Sequence, residues 1–168
     1  MKSVAVIAVL AVLTAAGSAA AEESDVIFKR TTVWHALTPN DKLSVRVVAD
    51  PDVEGVACYF TTPELGGVAG TLGVAEEVSD ISLNCQQVGP VVFKTKFQQG
   101  AEVIRERRSL FFKKMRIVRG CDATRNVLVY MVYSDKLIEG SPKNSTSAVV
   151  LRPWADEAAP RCTDWLIP

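Results

Sequence analysis

The sequence predicts a mainly β protein, a single domain folded as an antiparallel β-sandwich or open barrel. Its apolar segments are short, rich in Val, Ile, Phe and Tyr, and separated by turn residues. The run at 127–133, Val-Leu-Val-Tyr-Met-Val-Tyr, consists mostly of β-branched and aromatic residues, which favour strands. Four cysteines supply enough thiols for two disulfides to staple such a fold.

Alternation and composition predict the strands in order. Between residues 43 and 49 the apolar side chains recur with period two, which places them on one face of a strand. Pro51, Asp52 and Gly55 predict a turn, and Gly89-Pro90 is expected to break a strand. The predicted strands lie at 25–34, 42–49, 56–61, 81–87, 91–97, 127–133 and 145–151.

Two further segments are less regular. Residues 63–80 form a long glycine-containing connection, in which a single helical turn is expected at 71–78. Residues 102–119 fit either a helix with one apolar face or a pair of strands. Strands are favoured because residues 121–126 resemble a hairpin loop that leads into the strand at 127–133.

The first 21 residues predict a cleaved secretory signal peptide. Lys2 supplies a positive charge, residues 4–16 are almost wholly apolar, and residues 18–21 are small, as a signal peptidase requires. The apolar run is too short to cross a bilayer, which needs roughly 20 residues. We therefore expect cleavage after about Ala21 and a mature domain of residues 22–168 outside the cytoplasm.

Charge limits the classes of partner. Removing Lys2 leaves 18 basic and 19 acidic side chains in the mature chain. A nearly neutral chain has no overall field to attract nucleic acid, so no nucleic-acid partner is expected. The mature chain has no second apolar run of membrane-spanning length, so no membrane span is predicted.

The four cysteines, Cys58, Cys85, Cys121 and Cys162, are predicted to form disulfides. An even count in an exported chain favours bridges over free thiols. Zinc is disfavoured, because no two cysteines have the short gap of a zinc knuckle and the only histidine, His35, is distant from all of them. Spacing leaves all three possible pairings open.

Several blocks along the mature chain carry a family resemblance. They are Asp50-Pro51-Asp52-Val53, Cys58-Tyr59, Gly66-Gly67 with Gly73-Val74-Ala75-Glu76, Ser79-Asp80, Cys85-Gln86-Gln87-Val88-Gly89-Pro90, Arg125-Asn126-Val127-Leu128, Tyr133-Ser134-Asp135-Lys136, Glu139-Gly140-Ser141-Pro142-Lys143-Asn144-Ser145 and Pro153-Trp154. In these blocks the chain resembles the CreA family, exported bacterial proteins labelled "catabolite regulation protein A". The resemblance covers about residues 24–154 and leaves residues 155–168 as a tail.

The resemblance implies a location in the periplasm of a Gram-negative bacterium. It implies no reaction, ligand or active site, because the family has no established molecular function; the label reflects neighbouring genes for a sensor kinase and a response regulator. The family pattern contains Cys58 and Cys85, whereas Cys121 and Cys162 depart from it. The resemblance therefore implies the pairs Cys58–Cys85 and Cys121–Cys162.

The turn-rich block at 133–145 is the strongest candidate for recognition, because loops commonly carry binding residues. The same block also fits a purely structural bend in which Asp135 or Lys143 forms an ion pair. We expect a non-enzymatic module that binds an unknown envelope protein or small ligand. Its candidate binding residues are Arg125, Asn126, Asp135, Lys136, Lys143 and Asn144.

Two alternatives belong to other function classes. An envelope anion binder would use the seven basic residues between 105 and 119, although a solvated basic face is the favoured interpretation of that stretch. These residues are Arg105, Arg107, Arg108, Lys113, Lys114, Arg116 and Arg119. An enzyme independent of His and Cys would use Asp80 or Asp135 as a base, with a pKa raised by burial.

No catalytic, metal or cofactor site is predicted. A Ser-His-Asp site is not expected around His35. The glycines at 67, 70 and 73 lack the Gly-Lys-Ser/Thr ending of a phosphate loop. Asp50, Asp52 and Glu54 alternate as Ca²⁺ ligands could, but Pro51 and Gly55 favour a simple turn.

Overall fold

The computed structural model describes residues 25–64, 66, 82–107, 114–134 and 143–168, with the side chains of residues 105–107 and 114 excepted. These residues contain eight strands and one short 3-10 turn. The elements are β1 Asp25–Val33, β2 Asp41–Asp50, β3 Val53–Glu64, β4 Ser82–Phe93, β5 Ala101–Arg107, β6 Lys114–Asp122, β7 Val127–Ser134, β8 Asn144–Val150 and the 3-10 turn Cys162–Trp165.

The strands form two antiparallel four-stranded sheets, in the orders β1-β2-β3-β4 and β5-β6-β7-β8. Each sheet is a meander of strands that are consecutive in the chain, and the two sheets pack in a sandwich-like arrangement. The mainly β, antiparallel, single-domain prediction is confirmed, and residues 101–107 and 114–122 are strands rather than a helix. Predictions for residues 1–24, 67–81, 108–113 and 135–142 lie outside the described residues.

Alternation along the strands builds the core between the sheets. In β3, Cys58, Phe60 and Thr62 point inward, and in β7 Leu128, Tyr130 and Val132 do so. Every one of these six side chains is almost completely buried. The alternation predicted at 43–49 is also present in β2, but its apolar set does not face the core: Leu43 and Ala49 are exposed, whereas Ser44, Val48 and Asp50 are buried.

The predicted break at Gly89-Pro90 is wrong, because β4 continues through it as a bulge. Opposite β3, Glu54 pairs with Val92 and Val56 pairs with Gln87, so the extra residues on β4 are accommodated in one irregularity. Gly55 enables this with φ +78°, and a Cβ there would lie only 2.1 Å from the carbonyl oxygen of Pro90. Proline lacks an N–H for the ladder, which fits its position in a bulge.

The two sheets meet where the edge strands β4 and β8 lie side by side, a contact that we call the seam. Hydrogen bonds that involve side chains join the two strands there. The Ser147 hydroxyl accepts a hydrogen bond of 2.8 Å from the Cys85 backbone N–H. The Gln87 carboxamide accepts from the Arg152 N–H and donates to the Arg152 carbonyl, both at 3.0 Å. Cys85 bonds to Ser147, and Gln87, further along β4, bonds to Arg152, which follows β8. Because the residue numbers increase together, β4 and β8 run in the same direction.

This direction gives the sandwich two different ends. The last residues of β1, β3, β5 and β7 and the first residues of β2, β4, β6 and β8 lie at one end, which we call the loop end. The connections 51–52, 94–100 and 123–126, together with the C-terminal tail, lie at the opposite end, which we call the staple end.

Both disulfide pairs implied by the resemblance are confirmed. Cys58–Cys85 joins directly opposite positions on β3 and β4. Cys121–Cys162 joins β6 to the 3-10 turn and holds the tail against the staple end. Within the described ranges, no residues form a helix that could span a membrane.

Candidate binding groove at the seam

Two of the predicted binding residues, Arg125 and Asn126, lie in the turn between β6 and β7. The exposed Arg125 guanidinium donates to Asp122 at 2.9 Å, and this bond holds the pKa of Asp122 below its ordinary value. Asn126, at φ 55°, donates to the Pro160 carbonyl and accepts from the Cys162 N–H, both at 2.9 Å. Asn126 therefore serves to fasten the tail.

Two others, Lys143 and Asn144, lie at the loop end. Asn144 opens β8 opposite Tyr133, and the Lys143 carbonyl accepts a hydrogen bond from the Ser134 N–H at 3.2 Å. The eight residues of β7 separate them from Arg125 by roughly 24 Å at the usual strand rise. The structure thus does not bring Arg125 and Asn126 together with Lys143 and Asn144; Asp135 and Lys136 lie outside the described residues.

Arg119, the last residue of the basic stretch at 105–119, was predicted to lie on an exposed face, but it is buried in the core. The Arg119 side chain is 1% exposed, and both oxygens of Asp50 lie 2.5 Å from its Nη1 atom. Its Nη2 atom reaches Asp52 at 3.4 Å, and its guanidinium carbon lies 4.3 Å above the centre of the Phe97 ring. Reading Arg119 as solvated was wrong, because its partner is 69 residues away in the sequence.

The cluster of Asp50, Arg119 and Tyr130 links the two sheets. The Tyr130 hydroxyl donates to Asp50 Oδ2 at 2.8 Å, and the Asp52 N–H donates to Asp50 Oδ1 at 3.0 Å. Burial raises the pKa of the Tyr130 phenol, and the negative charge of Asp50 raises it further. The carboxylates of Asp50 and Asp52 thus stabilise a cation of the protein itself.

An open groove of about 410 Å³ lies along the seam on the outer surface of the sandwich. The exposed residues that line it include Ala148 and Val150 on β8 and Gln86 on β4. Arg152, Pro153 and Trp154 border it where the chain leaves β8. Clefts that bind small molecules commonly enclose about 300–1,000 Å³, and this groove falls within that range.

The segment that carries Arg152 and Trp154 is fixed by hydrogen bonds to its backbone groups. The Gln87 carboxamide forms hydrogen bonds with both the backbone N–H and the carbonyl of Arg152. Trp154 and Glu157 exchange two backbone bonds of 3.0 and 2.9 Å, and Ala155 between them adopts the left-handed φ of 49°. Non-glycine residues rarely take that conformation, and such strain is often found at functional sites.

Three residues that line this groove, Gln86, Arg152 and Trp154, have exposed side chains. Trp154 is 42% exposed, and Gln86 and Arg152 are exposed. Among the described residues, no hydrogen bond or ion pair engages the Arg152 guanidinium or the Gln86 carboxamide. Backbone bonding therefore fixes the segment while its polar and aromatic groups remain available to another molecule.

Other chemistry-bearing residues lie away from this groove. His35 is half-buried at the loop end, with Nε2 3.4 Å from Asp41 Oδ1. Glu54, the third of the alternating carboxylates, pairs with Lys94 at 3.1 Å. Within the described ranges, no group of three His, Cys, Asp or Glu side chains is arranged to hold a metal ion.

Comparison with known proteins gives the family. The family model described as "CreA protein" matches residues 27–154. Protein CreA of Escherichia coli K12 is 46% identical over 127 residues, covering 73% of this chain and 81% of that protein. Proteins CreA of E. coli O6:H1 and of E. coli O157:H7 match with the same values. No solved structure is significantly similar to this chain. Because the family model spans most of the sandwich, including Pro153 and Trp154 of the groove, the chain belongs to the CreA family.

Proposed function

We propose that this protein is a non-enzymatic binding module of the bacterial cell envelope, located in the periplasm, and that it binds its ligand in the seam groove. The observation that carries the proposal is the groove's set of side chains. It offers an exposed guanidinium, an exposed carboxamide and a partly exposed indole. These groups recognise a ligand by charge, hydrogen bonding and stacking.

The same lining argues against catalysis at this place. The nine described residues that line it include no carboxylate, no histidine and no free thiol, because Cys85 is disulfide-bonded. General acid–base catalysis needs a group that exchanges protons near the operating pH, and an arginine does not do so.

The periplasmic location is supported by two independent features. The N-terminal 21 residues have the pattern of a secretory signal, and both described cysteine pairs are oxidised, which suits an oxidising compartment. Fractionation of the native host should recover the protein in the periplasmic extract, with Glu22 as its N-terminal residue. Recovery in the cytoplasm with Met1 intact would contradict the location.

Crosslinking and pull-down from native periplasm test the binding function. We expect Trp154→Ala/Arg152→Gln to lose the molecules captured by the wild type. Lys143→Ala/Asn144→Ala, at the loop end, serves as the matched variant. If only the loop-end variant changes the captured set, the binding surface lies at 135–144; if neither does, the proposed function is wrong.

One observation favours a second candidate, binding of an anionic lipid or polymer by the β5–β6 hairpin. In its register Arg105 lies directly opposite Arg116, and Arg107 lies directly opposite Lys114. Like charges at opposite positions repel, so a bound anion would stabilise them. Arg116 also has a carboxylate partner, since its Nη1 atom lies 2.9 Å from Glu102 Oε2.

Vesicles distinguish this second candidate. Neutralising Arg105, Arg107 and Arg108 to Gln should abolish salt-sensitive sedimentation with phosphatidylglycerol vesicles and leave the groove intact. Unchanged sedimentation, or equal binding to phosphatidylcholine vesicles, would exclude the hairpin as an anion site.

A further inference from the structure

The seam groove has the composition of a site for one particular kind of small molecule. We infer that it accepts a single carboxylate carried on a ring with a flat apolar face. This inference rests on the proposed binding function and goes beyond it by naming the ligand's chemistry. Arg152 would bind the carboxylate, Trp154 would stack on the ring, and Gln86 would hydrogen-bond to a polar substituent.

The charge requirement follows from Arg152. Its guanidinium is exposed at the edge of the groove, and no carboxylate among the described residues neutralises it. Of the described residues that line the groove, Arg152 alone carries a charged side chain. A guanidinium can bind a carboxylate through two parallel N–H donors, which gives both strength and orientation.

A singly charged ligand fits better than a phosphate. Phosphate sites combine several cations or the converging N–H groups of a helix N-terminus, and the described part of this groove has one cation and no helix beside it. The Gln87 carboxamide is already occupied by the backbone of Arg152 and the carbonyl of Gly89. One guanidinium matches one carboxylate.

The ring requirement follows from Trp154 and the apolar lining. The indole is partly exposed, and the exposed residues Ala148 and Val150 add apolar surface to the lining of the same groove. Aromatic surfaces bind flat apolar faces, whether these belong to another aromatic ring or to the C–H face of a pyranose. Both sources therefore share the same chemistry.

Titration followed by ¹H–¹⁵N NMR of the oxidised full mature chain tests the inference. The probes are indole-3-acetate and glucuronate, with indole-3-acetamide and glucose as uncharged counterparts. We expect at least one acid to shift the Trp154 indole N–H and amides at 85–87 and 148–154, and to bind about tenfold more tightly than its counterpart, as one charged hydrogen-bonding group provides. The acid that binds identifies the ring as aromatic or pyranose.

Substitutions assign the two contacts. Arg152→Gln should weaken the acid about tenfold and leave the uncharged probe unchanged, whereas Trp154→Leu should weaken both. Arg161→Gln is the matched control, because Arg161 is also exposed and does not line the groove. It should behave as wild type.

The outcomes separate the inference from the proposed function. If acid and uncharged probe bind equally, or if Arg161→Gln weakens the acid as much as Arg152→Gln does, the carboxylate assignment is overturned while a binding groove remains. If inorganic phosphate binds there more tightly than every acid, the ligand class is also wrong. If no probe binds but the pull-down depends on Trp154, the inference fails and the binding function stands.

Discussion

At the scale of single residues, Arg119 shows how a charge can belong to the core. Its guanidinium touches Asp50, Asp52 and the Phe97 ring, which supply counter-charge at Nη1 and Nη2, whereas its buried Nε has no hydrogen-bond partner among the described residues. Removing one partner of a buried pair leaves the other charge buried and uncompensated. The stability of the sandwich should therefore depend strongly on this residue.

We predict that Arg119→Met lowers the free energy of unfolding by about 3–5 kcal/mol. Arg125→Met is the matched control, because its pair with Asp122 is exposed to water and should contribute little. Urea unfolding of the oxidised proteins measures both. Equal, small effects of the two substitutions would show that Arg119 is not an essential part of the core.

Tyr130 gives the protein a dependence on alkaline pH. Its folded-state pKa is raised above the ordinary value of 10.0, so its contribution to stability is complete below that pH. As the pH rises above 10.0, the phenol ionises in the unfolded chain but keeps its proton in the fold, and stability falls. Tyr130→Phe should flatten the decline of the urea midpoint between about pH 9 and 11, relative to wild type.

Residue identity alone predicted some of these roles and not others. The cysteine pairs and the turn at Asp52 could be predicted, because local composition and family resemblance are visible in the chain. The burial of Arg119 could not, since its environment is created by Asp50 on β2, Asp52 in the turn after it and Phe97 in the 94–100 connection. The groove was missed for the same reason: Pro153-Trp154 was noted, but nothing in the sequence shows that β4 lies beside β8.

At the scale of elements, the bulge between β3 and β4 depends on one glycine. Gly55 combines a positive φ with close approach of the Pro90 carbonyl, so a side chain there meets two separate penalties. Gly100 has almost the same φ, 76°, but among the described residues a Cβ there would meet no atom within 4 Å. A side chain at Gly100 would therefore meet backbone strain alone, whereas a side chain at Gly55 would meet backbone strain and a steric clash.

Substituting alanine at both positions tests this distinction. Gly100→Ala should cost about 1 kcal/mol, the penalty of a left-handed conformation for a residue with a Cβ. Gly55→Ala should cost at least twice as much, because the bulge must also move. Thermal and urea unfolding give both values, and equal costs would contradict the close approach to Pro90.

Strand positions were largely predictable, whereas the way strands continue and pair was not. The alternation in β2 and the β-branched residues of β7 determine local structure, so their prediction needed no tertiary information. The Gly89-Pro90 dipeptide normally interrupts a strand, but Gly55 on the neighbouring strand accommodates it. That outcome depends on two segments at once, and neither segment shows it alone.

At the scale of the whole molecule, the tail is part of the folded domain. Cys162 is bonded to Cys121, Phe97 exchanges backbone hydrogen bonds of 2.8 and 2.9 Å with Trp165 and Ile167, and Trp165 stacks on Phe93. The tail thus closes the staple end over the buried Arg119. It lies beyond residue 154, where the family match ends.

We predict that Cys121→Ser/Cys162→Ser lowers the free energy of unfolding by about 4 kcal/mol, the chain-entropy value for a separation of 41 residues. Amide exchange at Phe97 and Ile167 should accelerate more than exchange within β3 and β4. Cys58→Ser/Cys85→Ser provides the comparison and should not loosen the tail selectively. Unchanged protection at Phe97 would mean that packing alone holds the tail.

The pairing of cysteines that are consecutive in the chain also bears on how the protein can mature. Each bridge closes within its own half, Cys58–Cys85 inside the first sheet and Cys121–Cys162 between the second sheet and its tail. For a polypeptide that emerges from a translocation pore amino terminus first, the first pair is complete before the third thiol arrives. With the export proposed above, emergence in this order would favour the observed pairing of consecutive cysteines.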